Sequence, residues 1–162
     1  MPNRRLTPQD LVERAEITDT MHRYATAIDQ RDWALLRTVF ADEVAFDFSS
    51  WAPGFRSVLK ADELVQSLQG SLSGFTATQH VMSNHVVTLE GESAVCVTYM
   101  NARLFLIAGN GTHLMNTIGG HYVNRFAATA DGWKITTCTL IVTWELGDQA
   151  LSEAAAKRLA TQ

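Results

Sequence analysis

The sequence predicts an α+β domain, with helices in its first half and an antiparallel meander in its second. Three observations predict it. Apolar residues recur at helical spacing as far as Leu72. Four long β-rich runs follow, Phe75 to Leu89, Ser93 to Ala108, Thr112 to Ala128 and Gly132 to Leu146. Glu90-Gly91-Glu92, Gly109-Asn110-Gly111 and Ala130-Asp131-Gly132 separate them, and all three are hairpin-turn signals. Helices followed by consecutive antiparallel strands define the α+β class, and a sheet that curves can leave a pocket against its helices. A length of 162 residues suits a single domain over 1–162.

Each element has a local reason. Thr7-Pro8-Gln9-Asp10 reads as a helix start: Thr7 caps, Pro8 suits the first helical position, and Asp10 favours the positive end. Residues 1–9 are expected to fray. From there Leu11, Ile17, Met21, Tyr24, Ala25 and Ile28 recur on one helical face. Asp32 caps a second short helix whose apolar face is Trp33, Leu36, Val39 and Phe40. Val44 to Phe48 alternate as a short strand, and Ser49 to Ser57, with Pro53 and Gly54, reads as a loop or irregular edge. Helical spacing resumes from Lys60 to Leu72 through Leu64, Val65 and Leu68. The Ala-rich tail from Asp148 predicts a last helix within 148–162.

Composition narrows the function classes. A hydrophobic share of 46% against 19% charged residues indicates a globular chain. The 13 Lys and Arg residues are scattered and the formal charge is −4, which argues against a nucleic-acid partner. No apolar stretch reaches the roughly 18 residues of a membrane span. The first twenty residues lack the apolar core of a signal peptide, so a cytoplasmic location is expected. Cys96 and Cys138 fall within apolar, strand-like runs and read as reduced core thiols. The five His are dispersed and no metal-binding spacing occurs, so no metal is expected.

Chemistry-bearing residues are few. Asp29 sits in the last turn of the first helix, where the helix dipole disfavours a carboxylate. It also reads as an exposed turn residue paired with Arg31. His80 opens a strand, and alternation places His80, Met82 and Asn84 on one face and Val81, Ser83 and His85 on the other. A structural histidine fits that position as well. Tyr24 lies in the apolar stripe of the first helix and reads as either a core tyrosine or a hydrogen-bond donor. Arg103 lies inside a strand, where burial would call for a partner such as Asp47 or Glu145, or an anionic ligand. Phe46, Phe48, Trp51, Phe55, Phe75 and Met82 are candidates for an apolar cavity lining, and equally for plain core. A carboxylate beside an imidazole makes a general base, and a phenol adds a donor.

The ordered set of Tyr24-x4-Asp29 followed by Arg31-Asp32-Trp33, Leu36 to Phe40 with Ala41-Asp42, Gln79-His80, Gly119-Gly120-His121-Tyr122 and Asp131-Gly132-Trp133-Lys134 resembles the SnoaL-like branch of the nuclear transport factor 2-like superfamily, over nearly the whole chain. The resemblance implies a cone-shaped fold: helices wrapped on a strongly curved, mostly antiparallel sheet around a pocket. Within that branch, scytalone dehydratase, bile-acid dehydratase and hexachlorocyclohexane dehydrochlorinase share an Asp on the first helix and a His on a strand, which Asp29 and His80 match. By resemblance His80 takes the proton, Asp29 orients it, and Tyr24 polarises a carbonyl or assists the leaving group. Tyr24 lies where the bile-acid enzyme has a tyrosine, whereas Ala102 stands where that enzyme has an aspartate. Ile28 and Phe48 occupy the positions of scytalone dehydratase tyrosines.

The substrate-binding residues expected on this basis are Phe48, Trp51, Phe55 and Met82, together with Asn101, Arg103, His121 and Asn124. The implied activity is a cofactor-independent lyase, a dehydratase foremost, acting on a hydrophobic or aromatic small molecule. An isomerase or polyketide-cyclase type of enzyme, or a non-catalytic ligand-binding or assembly domain, is the alternative. Relatives of this kind form dimers or trimers, so a homo-oligomer is expected.

Overall fold

Helix α1 (Pro8–Gln30) begins as a capping box. The Thr7 hydroxyl accepts from the Asp10 backbone N–H at 3.1 Å, and the Asp10 carboxylate accepts from the Thr7 N–H at 2.6 Å. The ordered helix thus reaches back to Pro8, further than a frayed segment through residue 9 allows. The computed structural model describes residues 5–148 and 150–160; the fraying expected for 1–4 lies outside them. Arg31 ends the helix in the left-handed region at φ 60° and caps it through backbone bonds to Ala27 and Ile28. Asp32 then caps α2 (Trp33–Thr38), accepting from the Leu35 N–H at 2.9 Å.

Strand β1 (Phe40–Asp47), edge strand β2 (Arg56–Lys60) and helix α3 (Ala61–Leu72) follow. The meander is β3 (Ala77–Glu90), β4 (Ser93–Ile107), β5 (His113–Thr129) and β6 (Gly132–Gly147), and α4 (Leu151–Ala160) closes the described chain. The sheet has six strands in the order β2-β1-β6-β5-β4-β3. Every pairing is antiparallel except β1 with β6, which is parallel. The sheet is curled but not closed. Register shifts at Ser83/Val86, Gly119/Gly120 and Arg125/Phe126 mark bulges, which bend strands and raise their twist.

Helix α1 lies across the concave side of the sheet, burying Ile17, Met21, Tyr24, Ala27 and Ile28. Strand β4 shows the pattern that divides the sheet: Ala94, Cys96, Thr98, Met100, Ala102, Leu104 and Leu106 are buried, and their odd-numbered neighbours face outward. Both cysteines are free and buried. None of the described helices is long and apolar enough to cross a membrane.

The bulge in β3 alters a face assignment. Simple alternation puts His85 opposite His80. Asn84, at φ 51°, breaks the period and turns His85 toward α1. There its Nε2 lies 3.0 Å from the Nε2 of His22, and its Nδ1 lies 3.0 Å from the Thr98 hydroxyl.

Candidate functional site

A cavity of about 460 Å³ opens between α1, α3, α4 and the concave sheet face. Its floor alternates along β4, with Met100, Ala102 and Leu104 all contributing. Phe48, Trp51 and Phe55, from the loop after β1, form one wall. Leu68, Leu72 and Phe75 form another, and the small residues Ser152, Ala155 and Ala156 of α4 roof it without filling it. Gly74 lets that helix sit close, since a Cβ there would come 2.5 Å from the Ala155 carbonyl oxygen. Polar side chains are sparse among the described lining residues: three serines, His80, Tyr24, Tyr122 and the indole N–H of Trp51.

His80 and Asp29 meet at the edge of this cavity. The His80 Nδ1 lies 2.7 Å from Asp29 Oδ1, and the His80 backbone N–H donates to Oδ2 at 2.7 Å. Thr78, one face-step earlier on β3, donates its hydroxyl to Oδ1 at 2.9 Å. A carboxylate accepts only, so the ring nitrogen facing it carries a hydrogen and the other, Nε2, is left as the basic one. The His80 side chain is 8% exposed and that of Asp29 22%. Burial pushes the Asp29 carboxyl up, but the hydrogen bonds from the His80 ring, the His80 backbone and Thr78 outweigh it and hold the group below its usual 3.8.

Arg31 stands behind the pair. Its guanidinium donates to the Ile28 carbonyl at 2.6 Å, to Thr78 Oγ1 at 2.8 Å and to the Leu72 carbonyl at 3.1 Å. It therefore ties the end of α1 to the end of α3 and to β3, and it orients the hydroxyl that serves Asp29.

Tyr24 is 1% exposed and reaches the cavity from α1, and its hydroxyl lies 3.4 Å from that of Tyr122 on β5. Burial, with Tyr122 and Cys138 nearby, pushes the Tyr24 phenol well above its usual 10. Burial raises Tyr122 in the same way and pushes the Cys138 thiol up to about 12. Burial thus favours the neutral, proton-bearing form of both phenols.

Of the residues expected to bind substrate, Phe48, Trp51 and Phe55 line the cavity, whereas Met82, Asn101, Arg103, His121 and Asn124 are absent from its lining. Asn101, Arg103 and His121 occupy the outward phase of β4 and β5. Arg103 is exposed rather than buried, and the His121 ring lies 5.9 Å from that of Tyr99. The partners suggested for Arg103 are engaged elsewhere, Asp47 with Ser49 and Glu145 with Asn116. Asn124 is wholly buried in the core, where it bonds Met21 Sδ at 3.2 Å. Met82 packs against the core without reaching the cavity, and Phe46 backs the wall by stacking on Phe48 and Phe55. Sequence reasoning passed over Tyr122, although it adjoins His121 in the quoted Gly-Gly-His-Tyr run. The residues of β4 that do line the cavity, Met100, Ala102 and Leu104, alternate with the ones chosen, and nothing in the Ala-rich tail announced that it roofs a cavity.

The family model for the SnoaL-like domain matches residues 9–139. An uncharacterised protein of Mycobacterium tuberculosis is 28% identical over 131 residues, 80% of this chain and 85% of its own length. A crystal structure of a Kribbella flavida protein superposes with a TM-score of 0.81 at 29% identity, covering 89% of this chain and 99% of that one. The fold is shared also with hexachlorocyclohexane dehydrochlorinase from Novosphingobium barchaimii, at a TM-score of 0.68 and 14% identity over 86% of this chain and 92% of that one.

Proposed function

Since the chain belongs to the SnoaL-like family, we propose that it is a lyase that removes water from a hydrophobic β-hydroxy carbonyl compound without a cofactor. The observation that carries this reading is the His80–Asp29 contact of 2.7 Å at the wall of an apolar cavity. His80 Nε2 takes the proton α to the carbonyl, and the electron pair moves onto the carbonyl oxygen as an enolate. The Tyr24 phenol donates to that oxygen. Collapse of the enolate forms the carbon–carbon double bond and expels the β-hydroxyl, which receives the proton back from His80 and leaves as water. Asp29 holds the ring tautomer and stabilises its charged form through the cycle. Dehydrochlorinase and dehydratase names among structures of the same fold fit a common first step, proton abstraction followed by loss of a leaving group.

The direct test is a panel of β-hydroxy ketones incubated with the protein and followed by the absorbance of the conjugated enone. Enzyme-dependent appearance of enone is expected. If none of the panel loses water while a non-hydroxylated enone is isomerised, the isomerase reading replaces this one.

A homo-oligomer belongs to the same proposal. Val81, Val86, Tyr99, Met115 and Ile141 are all exposed and share the outward face of the sheet by register. An apolar sheet face of this kind is a surface that a second copy covers. Sedimentation equilibrium is expected to return a dimer or trimer, and a monomer for Tyr99→Glu. A wild-type monomer at micromolar concentration would exclude it.

A further inference from the structure

We propose that Tyr122 is a second substrate-binding donor, forming with Tyr24 a two-phenol seat for one carbonyl oxygen, and that the cavity accepts neutral, flat ketones while rejecting anions. This deepens the lyase reading and rests on it for the identity of the reacting carbon.

The seat follows from counting hydrogens. Two phenols separated by 3.4 Å carry two O–H groups, and a link between them uses only one. That separation is also long for a hydroxyl pair, whose usual distance is about 2.7–2.8 Å, so the link is weak and readily exchanged. Both hydroxyls are buried and both residues line the cavity. The other neighbour of the Tyr24 hydroxyl is the Cys138 thiol, a poor hydrogen-bond acceptor. An oxygen with two lone pairs entering from the cavity therefore offers each phenol a better acceptor than it now has. A carbonyl oxygen fits, and an enolate oxygen fits better, because the bond to a charged acceptor is stronger. Tyr24 comes from α1 and Tyr122 from β5, so the seat is assembled from the same helix and sheet that bring Asp29 to His80.

The rest of the lining sets the ligand class. None of the described lining residues is Lys or Arg. The nearby guanidinium of Arg31 is already engaged with two carbonyls and Thr78. A carboxylate or phosphate would have to leave water without a countercharge, which is strongly unfavourable. Phe48, Trp51, Phe55 and Phe75 offer ring faces to a planar skeleton. A volume of about 460 Å³ holds a molecule of drug-like size.

The experiment compares three probes on one bicyclic skeleton: 2-tetralone, tetralin, and tetralin-2-carboxylate, at pH 8. Calorimetry gives the affinities, and the infrared carbonyl stretch of bound tetralone reports the hydrogen bonds it receives. The wild type is expected to bind the ketone roughly tenfold more tightly than the hydrocarbon, and the carboxylate more weakly than the ketone. Tyr122→Phe keeps the ring contacts with Tyr24 and Phe48 and is expected to remove most of that preference and part of the stretch shift. Tyr24→Phe should do the same. An unchanged ketone preference and stretch in Tyr122→Phe would overturn the seat, and carboxylate binding equal to ketone binding would overturn the ligand class. The same measurements on His80→Ala separate the two readings: a retained stretch shift supports the seat whether or not the wild type eliminates water.

Discussion

Replacing His80 by alanine is expected to lower turnover of a β-hydroxy ketone by about 10²–10⁴-fold, the usual span of a positioned general base, with the fold intact. Asp29→Asn is expected to do comparable damage by a different route. The carboxylate accepts three hydrogen bonds, two on Oδ1 and one on Oδ2. An asparagine keeps one acceptor oxygen. If that oxygen serves the backbone N–H of His80, the amide hydrogens face the ring, and Nδ1 must accept. The ring proton then moves to Nε2, the nitrogen that has to be free. If the oxygen serves the ring instead, a buried N–H is left unsatisfied at a cost of about 1–3 kcal/mol.

Steady-state rates for the two variants, with circular dichroism as the folding control, check this. Variants that both keep a tenth of the wild-type rate would remove the dyad from the mechanism. Acid unfolding adds a second readout. The Asp29 carboxyl is held below 3.8 when folded, so its stabilising contribution is complete above that pH and is lost as pH falls through the lower folded value. Asp29→Asn lacks this contribution, and the stability gap to wild type should narrow below pH 3.8.

The largest effect on stability is expected at Gly120. A Cβ there would stand 2.1 Å from the Ile141 carbonyl oxygen and 3.1 Å from the Val142 Cα. These are backbone atoms of the paired strand and cannot swing away. Gly120→Ala is therefore expected to cost about 3 kcal/mol or more, as overpacking against fixed structure does, and to lower Tm by roughly 6–12 °C for a chain of this size. Gly119→Ala is the control. Its Cβ would stand 2.0 Å from the Trp144 ring, but that side chain is 48% exposed and has solvent to turn into. A loss within about 1 kcal/mol is expected there. Thermal denaturation of both variants decides the matter, and equal Tm values would show that the bulge between β5 and β6 yields. Tyr122 stands two residues beyond Gly120, so the same bulge sets where its phenol enters the cavity.

The parts of this fold that sequence made readable are those with local causes. The Thr7 cap, the Asp32 cap and the three glycine-bearing turns each act within four residues, and all are where the sequence places them. Strand β2 was read only as the end of a loop or irregular edge, because it is an exposed strand with almost no buried face, defined by its pairing with β1. The parallel pairing of β1 with β6 joins residues nearly a hundred positions apart, and no turn announces it.

The site divides along the same line. Period-two alternation sorts β4 into two faces but does not say which is inside, so Asn101 and Arg103 were assigned to the pocket although the apolar phase through Ala102 faces it. On β5, His121 was chosen and its inward neighbour Tyr122 was not. One left-handed residue, Asn84, reverses the alternation beyond it, and that reversal has no signature in the pattern of apolar residues.

That reversal has a mechanical consequence. A helix held to a sheet at one contact can still pivot about it. Here α1 touches β3 at Asp29 with His80 and again at His22 with His85, seven residues or about 10.5 Å along its axis. Two anchors on one helical face remove both sliding and rotation as soft degrees of freedom. The distance between carboxylate and imidazole is thereby set by a rigid lever rather than by one hydrogen bond, and the precision of the proposed base is borrowed from a pair of histidines outside the cavity lining.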